Sequence, residues 1–322
     1  MSRLRYALRR VVFAAFLVFV VSSGAMVLAR LAPGDATSEL IGEGVSTATI
    51  VRERERLGLH RPIAYEYVTW LSRASRLDFG QSFRYNRPVG PLVVERAANT
   101  ALLAVVALIL ATAVGVPVGV VAARGRGCLP TLLRAVSVGA LSLPPLVLSL
   151  GFAWLAARSQ WLPVGGMSSP ALDHADPSAR AVDLLRHLVV PVLALAIPLA
   201  ATLERLQERA MAQTLTEPWL VGVRARGVPE RRLRWRHALP ASLLPVAAVY
   251  GLIAGSLLSG SFAVEVVTAW PGLGRLMYEA LLARDVNLVA GCAAAGALFV
   301  VAGTLASDLA LLWLDPRIEE DA

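Results

Sequence analysis

The side chains that most often do chemistry form no recognisable catalytic or metal-binding set in this sequence. The four histidines, His60, His174, His187 and His237, stand singly, and no CxxC or HExxH motif gives the spacing of a metal site. The chain also contains no lysine, so all 31 basic residues are arginine. Because a P-loop and a Schiff-base enzyme both need a lysine, we expect no catalytic residue, metal or cofactor in this chain.

Two acidic residues are candidate pathway or gate residues. Asp308 interrupts the last long apolar run, and Glu265 follows the apolar run before it. An ionisable side chain inside a membrane helix is a functional hypothesis by default. Asp308 could instead pair with an arginine at the end of a helix bundle, and Glu265 could cap a helix or lie at the surface.

The composition is that of a polytopic membrane protein. Of the 322 residues, 56% are hydrophobic and 17% are charged, whereas soluble domains carry about 25% charged residues. The mean hydropathy is +0.61. A net charge of +8 would suggest nucleic acid in a soluble protein, but arginine collects in the cytoplasmic loops of membrane proteins. We therefore expect membrane lipids and no nucleic acid as partners.

Six apolar runs approach the roughly 20 residues that a membrane-spanning helix needs. They cover residues 11–29, 97–123, 135–157, 188–203, 238–264 and 286–314. The fourth run is short and contains Pro191 and Pro198, which predict a broken helix. The first run could be a signal peptide, but it is longer than the roughly 7–15 apolar residues of such a signal. The sequence predicts an all-α protein with six transmembrane helices.

Arginine placement predicts the orientation and the domain organisation. The N-terminal arginines, a turn around 124–134 and the loop 204–237 lie on one side of a six-helix topology, so both termini should be cytoplasmic. Residues 1–96 would form the first helix and a long extracytoplasmic cap. Residues 97–314 would form a five-helix core that contains the loop 204–237, and residues 315–322 a cytoplasmic tail.

The segment 30–96 is too long to be a simple connector between helices. Its pattern predicts one helix over 47–57, ended by Gly58, and an amphipathic helix over 63–75. The segment could be a packed cap over the bundle, or a docking surface for whatever delivers a substrate. The two interpretations are compatible.

The cytoplasmic loop 204–237 contains an unusual glycine–proline break. Residues 202–226 look helical, Gly227 supplies a stop, and Pro229 starts a second helix over 230–237 that should end before Pro240. The arginines could anchor the loop to lipid phosphates. That interpretation leaves the break unexplained, whereas a short angled helix suits a groove on another protein.

Several sequence blocks resemble binding-protein-dependent ABC importer permeases. The sequence WLVGVRARG at 219–227, followed by RR at 231–232 and RHAL at 236–239, is similar to the coupling loop of the dipeptide/oligopeptide subfamily, which is close to YVRTARAKG…RHAL. Further blocks resemble its B-type member and occur in family order. These are RLAPGD at 30–35, LGL at 57–59 with Pro62, DFGQS at 78–82, SLPP at 142–145, AWPGLGR at 269–275 and DPR at 315–317.

The resemblance implies the fold of a type I ABC importer and a set of partners. A second, C-type permease would complete the translocation pathway, one or two ABC ATPase subunits would bind ATP and Mg²⁺, and an extracytoplasmic substrate-binding protein would deliver peptides. The location implied is the cytoplasmic membrane of a prokaryote. The implied coupling residues within 218–237 are Trp219, Val223, Arg224, Ala225 and Gly227, with Arg231 and His237 supporting the loop.

The loop departs from the family spelling at a few positions. Val223 and Arg226 replace its usual polar residue and lysine, and the sequence PAS at 240–242 replaces an asparagine after RHAL. Relatives with similar motifs carry nickel chelates or oligosaccharides, which stay alternative cargoes. A secondary carrier should show an internal repeat, and an intramembrane enzyme should show paired acids or a Ser/His set; we find neither in the sequence.

Overall fold

A computed structural model describes residues 3–34, 37, 46–56, 62–123, 125, 127–172 and 176–314. Residues 35, 58, 124, 126 and 315–322, which the predictions above include, lie outside this part. The regular structure described is helical. Its α-helices are α1 (Arg3–Leu31), α2 (Thr47–Arg56), α3 (Ile63–Ala74), α4 (Val89–Ala122), α5 (Cys128–Leu141), α6 (Pro145–Ser159), α7 (Pro177–Thr214), α8 (Pro218–Ala225), α9 (Glu230–Arg232), α10 (Leu239–Ala247), α11 (Tyr250–Val267), α12 (Leu273–Leu282) and α13 (Val286–Leu314).

The helices account for the predicted membrane spans. Within the described ranges, α1, α4, α7, α11 and α13 are long and apolar enough to cross a membrane. The pair α5 and α6 supplies a sixth span if its two helices, which are bent by 95°, count as one. The all-α membrane fold is therefore confirmed.

The chain divides into two compact units. The first contains residues 1–100 and 271–299, and the second contains residues 101–270 and 300–322. The second half of α4 and all of α7 belong to the second unit, whereas α3 and α12 belong to the first. Each unit is described separately below.

The second unit is organised around α7. This 38-residue helix packs against α5, α6, α10 and α11. Its buried side chains, among them Leu195 and Leu203, join Ala107, Ile253 and Trp270 in one apolar core. A helix of this length measures about 57 Å, so it is longer than the hydrocarbon core of a bilayer, about 30 Å.

Two glycines bring α4 against the backbone of α7. A Cβ atom at Gly115 would lie 2.5 Å from the carbonyl oxygen of Ala200, and one at Gly119 would lie 2.6 Å from that of Glu204. Real Cβ atoms do not approach so closely. The two glycines are one helical turn apart, which is the GxxxG spacing that lets membrane helices pack closely.

The predicted break of the fourth span at Pro191 and Pro198 is wrong. Helix α7 runs without interruption from Pro177 to Thr214 and contains both prolines. Proline removes one intrahelical hydrogen bond, but membrane helices tolerate it because neighbouring helices and hydroxyl side chains compensate. The first condition holds here, since α7 is packed against several neighbouring helices.

The third predicted span is bent at the proline pair, as the sequence SLPP suggests. Helix α5 ends at Leu141, and Pro144 precedes the first residue of α6 in an extended conformation. A residue before proline is disfavoured in the helical region, so the Pro144–Pro145 pair ends one helix and starts the next. The apolar run 135–157 therefore consists of parts of two helices, and the break that the two prolines predict is confirmed.

The predicted helix end before Pro240 is also wrong. A π-helical segment, Leu233–Ala238, continues α9 directly into α10. Pro240 lies in the first turn of α10, where a missing backbone N–H costs little because the preceding turn is already wider than α-helical. The predicted fifth span, over 238–264, consists of two helices. Helix α10 ends at Ala247, and α11 begins at Tyr250 after a two-residue turn.

In the first unit, α3 is fixed to α1 by polar contacts. The Arg30 guanidinium donates to the Glu66 carboxylate at 2.8 Å, and the Tyr67 hydroxyl donates to Ser23 at 3.0 Å. Trp70 packs beside Met26 in an apolar cluster. The amphipathic helix predicted over 63–75 is confirmed, with Ala74 as its last residue.

A buried carboxylate fastens the segment before α4 to the start of α13. Asp285 accepts a hydrogen bond from the Ser82 hydroxyl at 2.6 Å and from the backbone N–H of Arg84 at 3.2 Å. Its other oxygen accepts the backbone N–H of Leu288 at 3.1 Å and so caps α13. One fully buried side chain therefore satisfies donors from two distant parts of the sequence.

We predict that Gly119→Ala destabilises the core of the second unit and that Gly151→Ala does not. The added methyl at Gly119 meets backbone atoms of α7 that cannot rotate away, which should cost about 1–3 kcal/mol. Gly151 is an exposed helical glycine with open space around it. Thermal unfolding of the two purified variants in detergent measures the difference, and equal midpoints would contradict the close packing.

A second prediction concerns Asp285. Asp285→Ala removes the acceptor of three donors and should lower the free energy of unfolding by about 3 kcal/mol. Glu95→Ala is the matched control, because its carboxylate is half-exposed and lies 3.9 Å from Arg87, so it should cost less than about 0.5 kcal/mol. The readout is again the unfolding midpoint; a midpoint unchanged by Asp285→Ala would be inconsistent with this assignment.

Candidate functional site

The candidate site is the short helix α8 together with the segment that follows it. The predicted continuous helix over 202–226 is wrong, because α7 ends at Thr214 and α8 begins separately at Pro218. Pro218 explains the break. Proline forces the preceding residue away from the helical region, and Glu217 accordingly has φ −64° and ψ 137°.

The inner face of α8 is fixed to the rest of the second unit by apolar packing. Leu220 is fully buried and Val223 is 5% exposed. Both pack in one cluster with Val120 of α4, Met211 of α7 and Leu233 of the π segment. Val223, which the resemblance places among the coupling contacts, therefore points into the protein and holds the helix in position.

The outer face of α8 is exposed and partly apolar. Trp219 and Val221 are 46% and 54% exposed. Gly222, Arg224 and Ala225 are exposed beside them. The space beside Gly222 is open, since no atom lies within 4 Å of the position a Cβ would take. This face offers a tryptophan and small residues on a short helix, features that suit a groove in a partner protein.

The turn after α8 depends on Gly227 and on one acid. Gly227 has φ +79°, a left-handed conformation that glycine adopts without a steric penalty. Beyond it, the Glu230 carboxylate accepts from Arg224 at 2.7 Å and lies 3.7 Å from Arg234. Arg224 and Glu230 are about half exposed, so the pair contributes at most about 1 kcal/mol and mainly orients the turn.

The remaining predicted residues lie in different environments. Arg231 is exposed on α9 and borders two recesses. His237 is half-buried in the π segment. Glu265 is fully buried in α11, which rules out the surface position considered for it, and Asp308 is half-buried in α13. The structure brings the α8 residues and Arg231 into one region of the second unit.

The sequence analysis missed the buried polar residues on α7. Glu204 is 1% exposed, and the Gln207 amide, fully buried, donates to the Ser242 hydroxyl at 2.8 Å. The apolar run 188–203 was ended at its first charged residue, so Glu204 counted as part of a loop. The GVPVG sequence at 115–119 is a signal that could have shown the close helix contact facing these residues.

Comparison with known families identifies the class of protein. The family described as "Binding-protein-dependent transport system inner membrane component" matches residues 115–320, and the corresponding N-terminal family matches residues 3–104. The chain belongs to this permease family. It is thus a multi-pass membrane permease, and the predicted resemblance is confirmed.

Relatives of this permease match it over nearly their whole length. A putative peptide permease protein of Brucella ovis is 33% identical over 98% of this chain and 99% of its own. The oligopeptide transport system permease protein AppB of Bacillus subtilis is 30% identical with the same coverage. The dipeptide transport system permease protein DppB of Alkalihalophilus pseudofirmus is 29% identical, again over 98% and 99%. The permease is therefore a member of the peptide ABC permease group and of a family of transport proteins, not of enzymes.

Two of the permease's sequence blocks are structural joints of the first unit. The DFGQS block supplies Ser82, which binds Asp285, and Gln81, whose carbonyl accepts from Asn287 at 3.0 Å. The AWPGLGR block is fixed at its Pro271 carbonyl by Asn99 at 2.8 Å, and the Leu273 N–H donates to Thr100 at 2.7 Å. These motifs stabilise the unit rather than forming a reactive site.

Tyr85, which lies in the first unit outside the spanning helices, has a perturbed pKa. The Tyr85 hydroxyl donates a hydrogen bond to the Glu279 carboxylate. Burial, followed by this hydrogen bond and the negative charge of Glu279, raises the pKa of Tyr85 above its usual value. The phenol therefore stays protonated at neutral pH, and the contact joins the segment before α4 to α12.

We predict that Leu220→Ala releases α8 and that Val221→Ala does not. Leu220 is fully buried and Val221 is about half exposed, so the first substitution should cost about 2–4 kcal/mol of local stability and the second almost none. Hydrogen exchange of residues 218–225 in the detergent-purified permease measures the effect. Equal protection in both variants would show that α8 is not held by the apolar cluster.

Proposed function

We propose that this permease is one transmembrane subunit of an ATP-driven importer and forms half of a pathway for peptides across the cytoplasmic membrane. We further propose that α8 and the segment up to residue 237 couple the pathway to a separate ATPase subunit. The observation that carries the proposal is the two-sided structure of α8, which buries Leu220 and exposes Trp219 and Val221.

The need for a separate ATPase is supported by the chemistry of the chain. A nucleotide-binding P-loop uses a lysine that reaches the β- and γ-phosphates, and this sequence has no lysine. ATP and Mg²⁺ would therefore be bound by the partner. Energy from hydrolysis has to enter through a contact surface, and the outer face of α8, with Trp219 and Val221, is left exposed by the described residues of its own unit.

The contact would use both shape and charge. Gly222 and Ala225 leave little bulk on the outer face of α8, so a groove wall of the ATPase could approach the helix backbone. Arg224 lies at the end of this face and is oriented by Glu230. Arginine on this side of the membrane agrees with a cytoplasmic location for α8 and for both chain termini.

Peptides are the proposed cargo because the similar proteins carry peptide, dipeptide or oligopeptide in their names. The complete importer would need a second, C-type permease and an extracytoplasmic binding protein that delivers the peptide. One or two ATPase subunits would complete it.

The proposal predicts that Ala225→Trp separates the permease from its ATPase without unfolding it. Ala225 is exposed, so the indole would obstruct a groove while leaving the core intact, and ATPase recovery should fall by about tenfold or more. Ala181→Trp is the matched control, since Ala181 is also an exposed alanine and lies about 50 Å from the far end of α7. It should leave ATPase recovery unchanged.

The measurement is affinity purification of each tagged variant from its native host in mild detergent. Mass spectrometry quantifies the co-purified ATPase, and hydrolysis stimulated by the binding protein is assayed in the recovered complex. Normal ATPase recovery and stimulation with Ala225→Trp would refute the role of α8. Recovery of the permease with an ATPase but without any peptide-loaded binding protein would refute the proposed cargo.

A further inference from the structure

A groove lined by arginine and tryptophan lies beside α8 on the same side of the second unit. It has a volume of about 670 Å³ and is open to solvent; its lining residues are Pro229, Arg231, Arg232, Trp235 and Arg236. We refer to it as the basic groove. The basic groove lies within the proposed coupling segment, but the ATPase contact proposed above uses the outer face of α8 and gives the groove no role.

The charge of the basic groove is not neutralised within the described part of the chain. Glu230, the nearest acid in sequence, contacts Arg224 and Arg234. Arg231, Arg232 and Arg236 form no ion pair with any carboxylate among residues that the structure describes. Three guanidinium groups crowded on one helical segment repel one another, so the groove favours an anion.

The π-helical segment explains why these side chains share one groove. An ordinary α-helix repeats every 3.6 residues, so residues five apart diverge around its axis. The wider turn over Leu233–Ala238 closes hydrogen bonds between residues five apart. It thereby allows Arg236 to line the same groove as Arg231. Such π segments occur frequently at functional sites.

A smaller recess adjoins the basic groove and shares Arg231 and Trp235 with it. The recess has a volume of about 220 Å³, and its lining mixes charged and apolar residues: Val120, Val121, Glu230, Arg231, Arg234 and Trp235. The valines come from the end of the spanning helix α4. Val120 is 1% exposed and packs in the core, so Val121 is the valine that stays partly exposed beside the arginines.

We propose that the basic groove binds the phosphate headgroup of an anionic phospholipid. Arginine binds phosphate oxygens through two parallel N–H groups, and tryptophan favours the level of the headgroups. Trp235 would lie at the glycerol level, and the start of an acyl chain would pass along Val121. The groove directly precedes α10, whose apolar sequence suits the hydrocarbon layer.

The apolar side chains beside the arginines favour a lipid over an acidic segment of a partner protein. An acidic peptide would satisfy the three arginines, but it would leave the exposed indole of Trp235 and the partly exposed Val121 without an apolar partner. A phospholipid supplies both the anion and the hydrocarbon in one molecule. The proposal extends beyond the importer function, because it requires only that the permease resides in a membrane.

The test compares two charge-matched triple variants of the full-length permease. The first, Arg231→Gln with Arg232→Gln and Arg236→Gln, removes the three positive charges that line the basic groove. The control, Arg73→Gln with Arg76→Gln and Arg180→Gln, removes three exposed arginines outside the coupling segment. After delipidation in detergent, native mass spectrometry measures binding of phosphatidylglycerol and of phosphatidylcholine to each variant.

We expect the wild-type chain and the control to bind phosphatidylglycerol more tightly than phosphatidylcholine. The groove variant should lose that preference by about a hundredfold, since each of the three arginines near an anionic lipid contributes about fivefold. Arg232→Lys, which keeps the charge but not the paired N–H groups, should weaken binding by several-fold and provides the readout if the triple variant fails to fold.

Each of three outcomes would overturn the proposal. Equal losses in both triple variants would mean that only the overall charge attracts lipid. Displacement of phosphatidylglycerol by millimolar inorganic phosphate, without help from the acyl chain, would make the groove a site for free phosphate. Retained lipid preference with loss of the co-purified ATPase from the groove variant would assign the arginines to a protein interface.

Discussion

The close contact between α4 and α7 is the constraint on which the second unit depends. Gly115 and Gly119 allow the backbone of α4 to touch the carbonyl groups of Ala200 and Glu204, and dispersion acts most strongly at such short range. This contact fixes the side of α7 that faces α4. It also fixes the ends of both helices, where Val120 and Met211 form the base on which Leu220 and Val223 pack. The position of α8 therefore follows from two glycines in a membrane span.

Two different kinds of surface lie before and after residues 227–230, which follow α8. Gly227 reverses the chain with φ +79°, and Glu230 binds Arg224 on one side and Arg234 on the other. The surface before this joint is small and partly apolar, which suits a protein groove. The surface after it carries three guanidinium groups and an indole, which is the composition expected of a surface that meets lipid headgroups. Under the two proposals, the anchor to lipid phosphates and the helix for a partner protein would use different residues of the arginine-rich loop.

The sequence predicted those features that depend on local chemistry. The helix Ile63–Ala74, the bend at Pro144 and the break after Gly227 follow from amphipathic spacing, proline and glycine, and the family blocks identified the fold. It failed where tertiary packing decides. Pro191 and Pro198 are tolerated because α7 is surrounded by other helices, and Pro240 is tolerated because a π segment precedes it. A helix over Glu204 was predicted, but its charge placed the residue in the cytoplasmic loop, so the burial of Glu204 against neighbouring helices was missed.

The packing of α8 determines how a force applied to it would be transmitted under the proposed function. The ion pair between Arg224 of α8 and Glu230 is about half exposed, so it contributes at most about 1 kcal/mol to holding the helix in place. The apolar packing of α8 is stronger. Leu220 and Val223 are buried in one cluster with Met211 of α7 and Leu233, and burying one such side chain contributes about 1.5–3 kcal/mol. A displacement of α8 would therefore move α7 with it, since close-packed interiors transmit strain rather than absorb it. Because α7 crosses the whole membrane, the proposed ATPase contact would act directly on a helix that reaches the other side.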